Sequence, residues 1–264
     1  MTQPSLLNYQ FLQAKQPISH TPLVFIHGLF GDMNNLGVIA RAFSENYHIL
    51  RVDLRNHGQS FHSETMNYEL MANDVIALLA HLNLTKVTLI GHSMGGKTSM
   101  KIAALRPDLV EKLVVIDIAP VIYGGNGHAD VFDGLFAVKN AAPSTRQAAK
   151  PILEQHINDE GVVQFMLKSF EPNSPELFRF HLCALYANYA HLMDWQDVLV
   201  NLPTLFIKGG NSTYIKAQDQ ARILAQFPNA QAFVISGCGH WVHAQKPDSV
   251  IRAIRNFLNK NETL

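Results

Sequence analysis

The sequence predicts an α/β protein with a mainly parallel sheet. Short apolar, β-branched runs alternate with amphipathic segments, and glycine- or histidine-centred loops follow the ends of several runs. With 264 residues, 47% of them hydrophobic and 16% charged, the chain can bury a sizeable core and is too apolar to stay disordered. Lysine plus arginine and aspartate plus glutamate number 21 each, so no global field favours nucleic acid or an acidic membrane surface.

In chain order, strands are expected near Leu23–Ile26, Ile49–Asp53, Val87–Ile90, Leu113–Asp117, Thr204–Ile207 and Phe233–Ile235. Their continuous apolar character predicts burial on both faces. Ser5 to Phe11 is expected to add an antiparallel edge. Leu36, Ile39, Ala40, Phe43 and Tyr47 recur at helical spacing, as do Tyr68, Met71, Ala72, Val75, Leu79 and Leu82, so each helix carries one stripe for the sheet.

The alternation breaks over about residues 120–192, which read as several helices. The whole chain is thus expected to be a single domain, 1–264, with a helical cap inserted at 120–192 between the sixth and seventh sheet strands. The insertion opens with Gly124-Gly125-Asn126-Gly127, Ser144 and Gln147 form an S-x-x-Q capping box, and Pro151 is expected to kink or end the helix that follows. The N-terminus lacks the basic and apolar regions of a signal peptide, and no apolar run reaches the roughly 18 residues of a membrane span. A cytoplasmic location with Cys183 and Cys238 reduced is the expectation.

The chemistry concentrates in Val87 to Thr98, where two signatures overlap. Gly91, Ser93 and Gly95 fit the G-x-S-x-G nucleophile elbow, whereas Gly91, Gly96, Lys97 and Thr98 fit the G-x-x-x-x-G-K-[ST] phosphate loop. Three further loops decide between them. His27-Gly28-Leu29-Phe30-Gly31 follows the first parallel strand, where a hydrolase needs a second backbone donor for an oxyanion. Leu29 and Met94 are therefore the expected oxyanion-hole amides. The loop from Asp53 to Ser60 reads as scaffolding beside the site. Gly237-Cys238-Gly239-His240-Trp241 follows the last strand and presents His240 as a general base. His243 could suggest a metal pair, but no carboxylate or third histidine is placed to complete it, so no metal is expected.

Taken together, HGLFGDMNNLG, DLRNHGQS, GHSMGGK, KLVVIDIAP and GHWVHAQKP resemble the α/β-hydrolase superfamily over nearly the whole chain, and within it a subfamily of small bacterial esterases with mitochondrial relatives. The resemblance implies an α/β-hydrolase fold: a mostly parallel central sheet flanked by helices, with a helical cap. In many members the triad acid lies in a G-x-x-D turn after a late strand, but Ser212 stands there in Lys208-Gly209-Gly210-Asn211-Ser212. Asp117, at the strand end next to the elbow strand, is the substitute, and the subfamily places its acid there. Ser93, Asp117 and His240 thus form the expected triad, with little dependence on Ser212.

The expected activity is serine carboxylesterase action on small to medium acyl esters, without a cofactor and with a small-molecule ester as partner. Phe30, Trp241, Phe136 and Tyr186 are the expected pocket residues. Lys139, Arg146, Lys150, Lys168 and Arg179 in the cap leave acyl-coenzyme A thioesterase action as an alternative, beside carbon–carbon bond hydrolysis. A P-loop nucleotidase and a hydrolase-fold ligand receptor are the rivals outside this chemistry.

Overall fold

A computed structural model describes residues 5–125 and 127–259; Asn126 of the glycine run and the first four residues lie outside them. Among the described residues seven strands form one sheet: β1 (Tyr9–Leu12), β2 (Leu23–Ile26), β3 (Ile49–Val52), β4 (Val87–His92), β5 (Val110–Ile116), β6 (Thr204–Gly209) and β7 (Ala230–Ile235). Their order is β1-β3-β2-β4-β5-β6-β7, with β1 antiparallel to β3 and all other pairs parallel.

Two helical layers cover the sheet, as its twofold side-chain alternation requires. Leu23, Phe25, Ile90 and Ile116 face α1 (Gly37–Arg41) and the C-terminal helix Pro247–Leu258. Val24, Ile26, Leu89 and Val115 face α2 (Tyr68–His81) and α3 (Met94–Leu105). The central strands are buried on both faces, but β7 is not, and Val234 is 57% exposed. An edge strand has one open side, so apolar continuity over-reads its burial. The periodic stretch from Leu36 to Tyr47 is helical only over Gly37–Arg41 and continues as turns.

Between β5 and β6 run α4 (Ala129–Ala141), α5 (Arg146–Glu154), α6 (Glu160–Lys168), α7 (Leu182–Ala187) and α8 (Tyr189–Met193). This insertion thus lies between the fifth and sixth strands rather than the sixth and seventh, because the antiparallel edge contributes one strand among the described residues. It is fastened to the loops at the strand ends. Ser169 Oγ donates to the Phe30 carbonyl at 3.1 Å, the Met66 amide to Asn188 Oδ1 at 3.0 Å, and the Tyr68 hydroxyl to the Leu192 carbonyl at 2.7 Å. After β6 come α9 (Gln220–Gln226), α10 (Val242–Gln245) and α11, the C-terminal helix already described.

Two local expectations are corrected. The N-cap of α5 is Thr145 rather than Ser144: Thr145 Oγ1 accepts from the Ala148 amide at 3.2 Å. Pro151 lies inside α5, which continues to Glu154. Proline removes only the single bond to the Gln147 carbonyl, and packing of α5 against α4 and α6 carries the helix past it.

The strand ends also hold buried histidines that the fold keeps neutral. His27 Nε2 accepts from the Leu54 amide and His57 Nε2 from the Phe30 amide, at 3.1 and 3.2 Å, so protonation would break both bonds. Burial is the largest cause holding these groups below the ordinary value of 6.5, His57 to about 3 and His243 to about 4, with His27 and His92 shifted the same way.

Two outcomes are expected. Thr145→Ala destabilises by about 1 kcal/mol and Ser144→Ala by almost nothing in chemical denaturation, since only the former removes a cap bond. Because the unfolded chain takes up protons below 6.5 that the folded histidines refuse, stability is intact above that pH and falls as pH drops toward 4 and then 3. Each such histidine contributes about 1.4 kcal/mol per pH unit inside its window. Thermal midpoints measured from pH 7 to 4 should decline steeply; a flat profile would contradict the neutral assignment.

Candidate active site

Parallel register brings three strand ends level. His92 pairs with Ile116 across β4 and β5, and Ile116 with Ile207 across β5 and β6, so Ser93 and Asp117 are the next residues on adjacent strands. The register continues past the strands: the Ser93 amide donates to the Ile116 carbonyl at 3.0 Å, and the Asp117 amide to the Ile207 carbonyl at 2.8 Å.

Ser93 occupies a turn that passes from β4 into α3 without an intervening loop, at φ 52° and ψ −121°. That left-handed backbone is costly for a side-chain-bearing residue and persists only where its surroundings enforce it. Here the two flanking glycines do so by close approach. A Cβ on Gly95 would collide with the Ile26 carbonyl oxygen, and one on Gly91 with the carbonyl of Gly95. The Ser93 carbonyl meanwhile accepts from the Gly96 and Lys97 amides at 2.8 and 3.1 Å, starting the helix.

His240 reaches Ser93 from the loop after β7. Its Nε2 lies 3.0 Å from Ser93 Oγ and its Nδ1 2.8 Å from Asp117 Oδ2. With Nδ1 donating to the carboxylate, Nε2 is left as the acceptor for the serine proton. Asp117 is fully buried, and Gly209 donates its amide to Oδ1 at 2.9 Å. Ser212 donates its hydroxyl to Oδ2 at 2.5 Å, the oxygen that also receives His240. Ser212, at the position where many family members carry the acid, thus donates to the carboxylate of Asp117, a contact that the expectation of little dependence on it did not include.

Two further neighbours fix the imidazole. The ring of Tyr214 stacks on His240 with centroids 3.9 Å apart and 22° between planes. His92 Nε2 donates to the His240 carbonyl at 3.0 Å. Tyr214 carried no motif, so sequence reasoning missed it; Ser212 was visible as a departure from a pattern, but its hydrogen bond was not. His243 packs its ring against His92, 4.2 Å between centroids.

On the opposite side of Ser93, Phe30 adopts φ 63° and its amide is held by His57, while the His27 Nδ1–H bonds the Gly28 carbonyl at 2.8 Å. These bonds leave the Leu29 amide without a protein acceptor among the described residues; the same is true of Met94 at the first turn of α3. Both residues border the cavity that contains Ser93. Asp53 organises the neighbouring loop by accepting the amides of Met33 and Gln59 at 2.7 and 3.0 Å.

The cavity measures about 330 Å³. Phe30, Val131, Phe165, Met166 and Trp241 give it apolar walls. Phe136 and Tyr186 do not border it, contrary to expectation. Phe136 stands one turn beyond Phe132 on α4 and packs on Tyr186, which is 59% exposed, so both belong to the outer seam between α4 and α7. Lys97, which completes the phosphate-loop pattern, is buried beneath the rings of Tyr68, Tyr123 and Trp195 rather than reaching back over the turn.

Comparison with known proteins agrees with this architecture. The sequence profile of the alpha/beta hydrolase fold family matches residues 21–247. A Haemophilus influenzae protein that carries an esterase/lipase name is 72% identical over 97% of this chain and 90% of its own length. Esterase YbfF of Escherichia coli is 46% identical over 96% of this chain and 99% of its own. Among solved structures, a marine microorganism esterase superposes with a TM-score of 0.89 at 33% identity, covering 96% of this chain and 99% of that one. The chain therefore belongs to the α/β-hydrolase fold family.

Proposed function

We propose that the protein is a serine carboxylesterase that hydrolyses small to medium acyl esters through an acyl-enzyme, with the segment 120–192 acting as a cap over the site. The observation that carries this reading is the continuous hydrogen-bonded line from Ser93 Oγ through His240 to the buried carboxylate of Asp117. The esterase names of its relatives agree with it.

In the acylation step His240 Nε2 takes the proton from Ser93 Oγ as that oxygen attacks the ester carbonyl carbon. The carbonyl oxygen gains the negative charge of the tetrahedral intermediate and accepts from the Leu29 and Met94 amides. The intermediate collapses by breaking the bond to the alcohol oxygen, which leaves with the proton from His240. Water then repeats the sequence on the acyl-enzyme, releasing the acid and restoring Ser93. Asp117 stays ionised throughout, holding the imidazole tautomer and stabilising the imidazolium. Ser212 and Gly209 keep that carboxylate in place, and stacking on Tyr214 restrains the ring. A thioesterase role draws little from the cap cations. Lys139, Lys150 and Arg179 are engaged in ion pairs with Glu176, Glu154 and Glu171, and none of the five borders the cavity.

Covalent labelling by a fluorophosphonate probe should disappear in Ser93→Ala, and labelling that survives would place the nucleophile elsewhere. Asp117→Asn should lower kcat on a p-nitrophenyl ester by thousands-fold, in line with the handicap of about 10⁴ known for the same change in a serine protease. Ser212→Ala should lower kcat about tenfold, equivalent to about 1.4 kcal/mol, with KM little changed; wild-type kcat would show that the bond to Asp117 is dispensable.

A further inference from the structure

The cavity has two unlike ends. Among its lining residues Asn35, Asp159, Trp241 and Gln245 are half-buried or exposed, and we take them as its mouth; Tyr68, Met94, Ile118 and Leu192 are all buried, and we take them as its inner pole. Lys97 belongs to that inner pole. It stands four residues beyond Ser93 at the start of α3, on the same face and about 6 Å along the axis.

Lys97 is completely buried. Its Nζ donates to the Asp194 carbonyl at 3.1 Å and sits over Tyr123, Tyr68 and Trp195, 4.8, 5.3 and 5.6 Å from the ring centroids. It forms no ion pair among the described residues; the Asp194 carboxylate acts on it only from beyond contact distance. An ammonium has three N–H groups, and a single carbonyl uses one.

The polar groups around it are already committed. Tyr68 donates to Leu192, Tyr123 donates to the Tyr214 carbonyl at 2.6 Å and accepts from the Ala119 amide at 2.8 Å, and Trp195 Nε1 donates to Gln226 at 2.8 Å. Lys97 is thus a cation of this cavity with donors in surplus and no carboxylate in contact among the described residues. Burial pushes its pKa down from the ordinary lysine value to about 7. A buried cation without a partner is a liability that a methionine of similar length would avoid. The three aromatic faces hold the ammonium in place, and a bound anion would complete its coordination in a low-dielectric setting where attraction is strong.

We propose that Lys97 recognises a carboxylate carried on the part of the ester that enters the inner pole, so that half-esters of short dicarboxylic acids are the preferred substrate class. The inference rests on the reading of Ser93 as an ester-attacking nucleophile.

The test compares monomethyl adipate with methyl hexanoate, and monomethyl glutarate with methyl valerate, by acid release at constant pH in wild type, Lys97→Met and Ser93→Ala. Wild type should show kcat/KM at least about tenfold higher for each half-ester than for its neutral counterpart. Lys97→Met should erase most of that ratio through KM, with fluorophosphonate titration showing a full complement of reactive Ser93. A wild-type preference for the neutral esters overturns the proposal and needs no variant. An equal loss on both members of each pair in Lys97→Met also overturns it, by making Lys97 a strut. Failure to hydrolyse any of the four, or hydrolysis retained in Ser93→Ala, would overturn the esterase reading itself.

Discussion

A carboxylate with no solvent contact must be matched by donors on the protein, because an unpaired buried charge is among the most destabilising groups a fold can contain. Asp117 is such a carboxylate, and its donors come from three places: the Gly209 amide at the end of β6, the Ser212 hydroxyl on the loop that follows, and His240 from beyond β7. None of these can be supplied unless β5, β6 and β7 lie side by side in parallel register. The position of the imidazole is therefore a consequence of sheet topology, and the distance from His240 to Ser93 follows from it. At the position after β6 where many family members carry an acid, this chain supplies a donor instead, the Ser212 hydroxyl bonded to Asp117. The loop after β6 serves the same imidazole by a different chemical route.

The second constraint is backbone strain at the places where the chain leaves the sheet. Phe30, Asn56, Ser93 and Asp117 all have positive φ, and all follow strand ends on the side where the cavity opens. Each is held by packing or hydrogen bonds that would be lost if the residue relaxed: Phe30 by the His57 ring, Asn56 by backbone bonds to Phe61 and His181, Ser93 by the two glycines, Asp117 by its three donors. Strain of this kind, about 1–3 kcal/mol per residue, requires a rigid surround. The buried neutral histidines belong to that surround, which links integrity of the loop at residues 28–31 to their remaining uncharged.

How much of this was legible in the sequence depended on whether the signal was local. The parallel strands were readable because burial on both faces leaves unbroken apolar runs, and the same rule misled at β7, where one side is open. Ser93 and His240 were readable because polar residues beside glycines at strand ends have few other uses, and Asp117 because Ser212 stands at the usual acid position and leaves the neighbouring strand end as the substitute. Phe136 and Tyr186 were misplaced because helical spacing says that two residues share a face but not what the face meets. The cavity is met by Val131 of α4 and by His128 just before it, while Phe136 turns to α7. Tyr214 left no trace, since stacking on His240 depends on two loops 26 residues apart (240 − 214) meeting in space.

The overlap of two motifs at residues 91–98 has a physical origin. Both a nucleophile elbow and a phosphate loop need a strand to turn abruptly into a helix whose first amides remain free, and both need glycine where backbone passes close to backbone. The shared glycines therefore say only that such a turn exists. What separates the two is the width of the turn and the direction of the lysine. In this chain Gly95 is pressed against Ile26 and leaves no room for a cradle, and Lys97, one turn along the helix, points into a closed aromatic recess on the cavity's inner side. A phosphate loop aims its lysine at the anion its amides hold; here the ammonium donates to the Asp194 carbonyl among three aromatic rings, away from the turn. On the proposed mechanism the amides of Leu29 and Met94 serve a charge that forms during the reaction, whereas the ammonium of Lys97 serves one already present in the substrate.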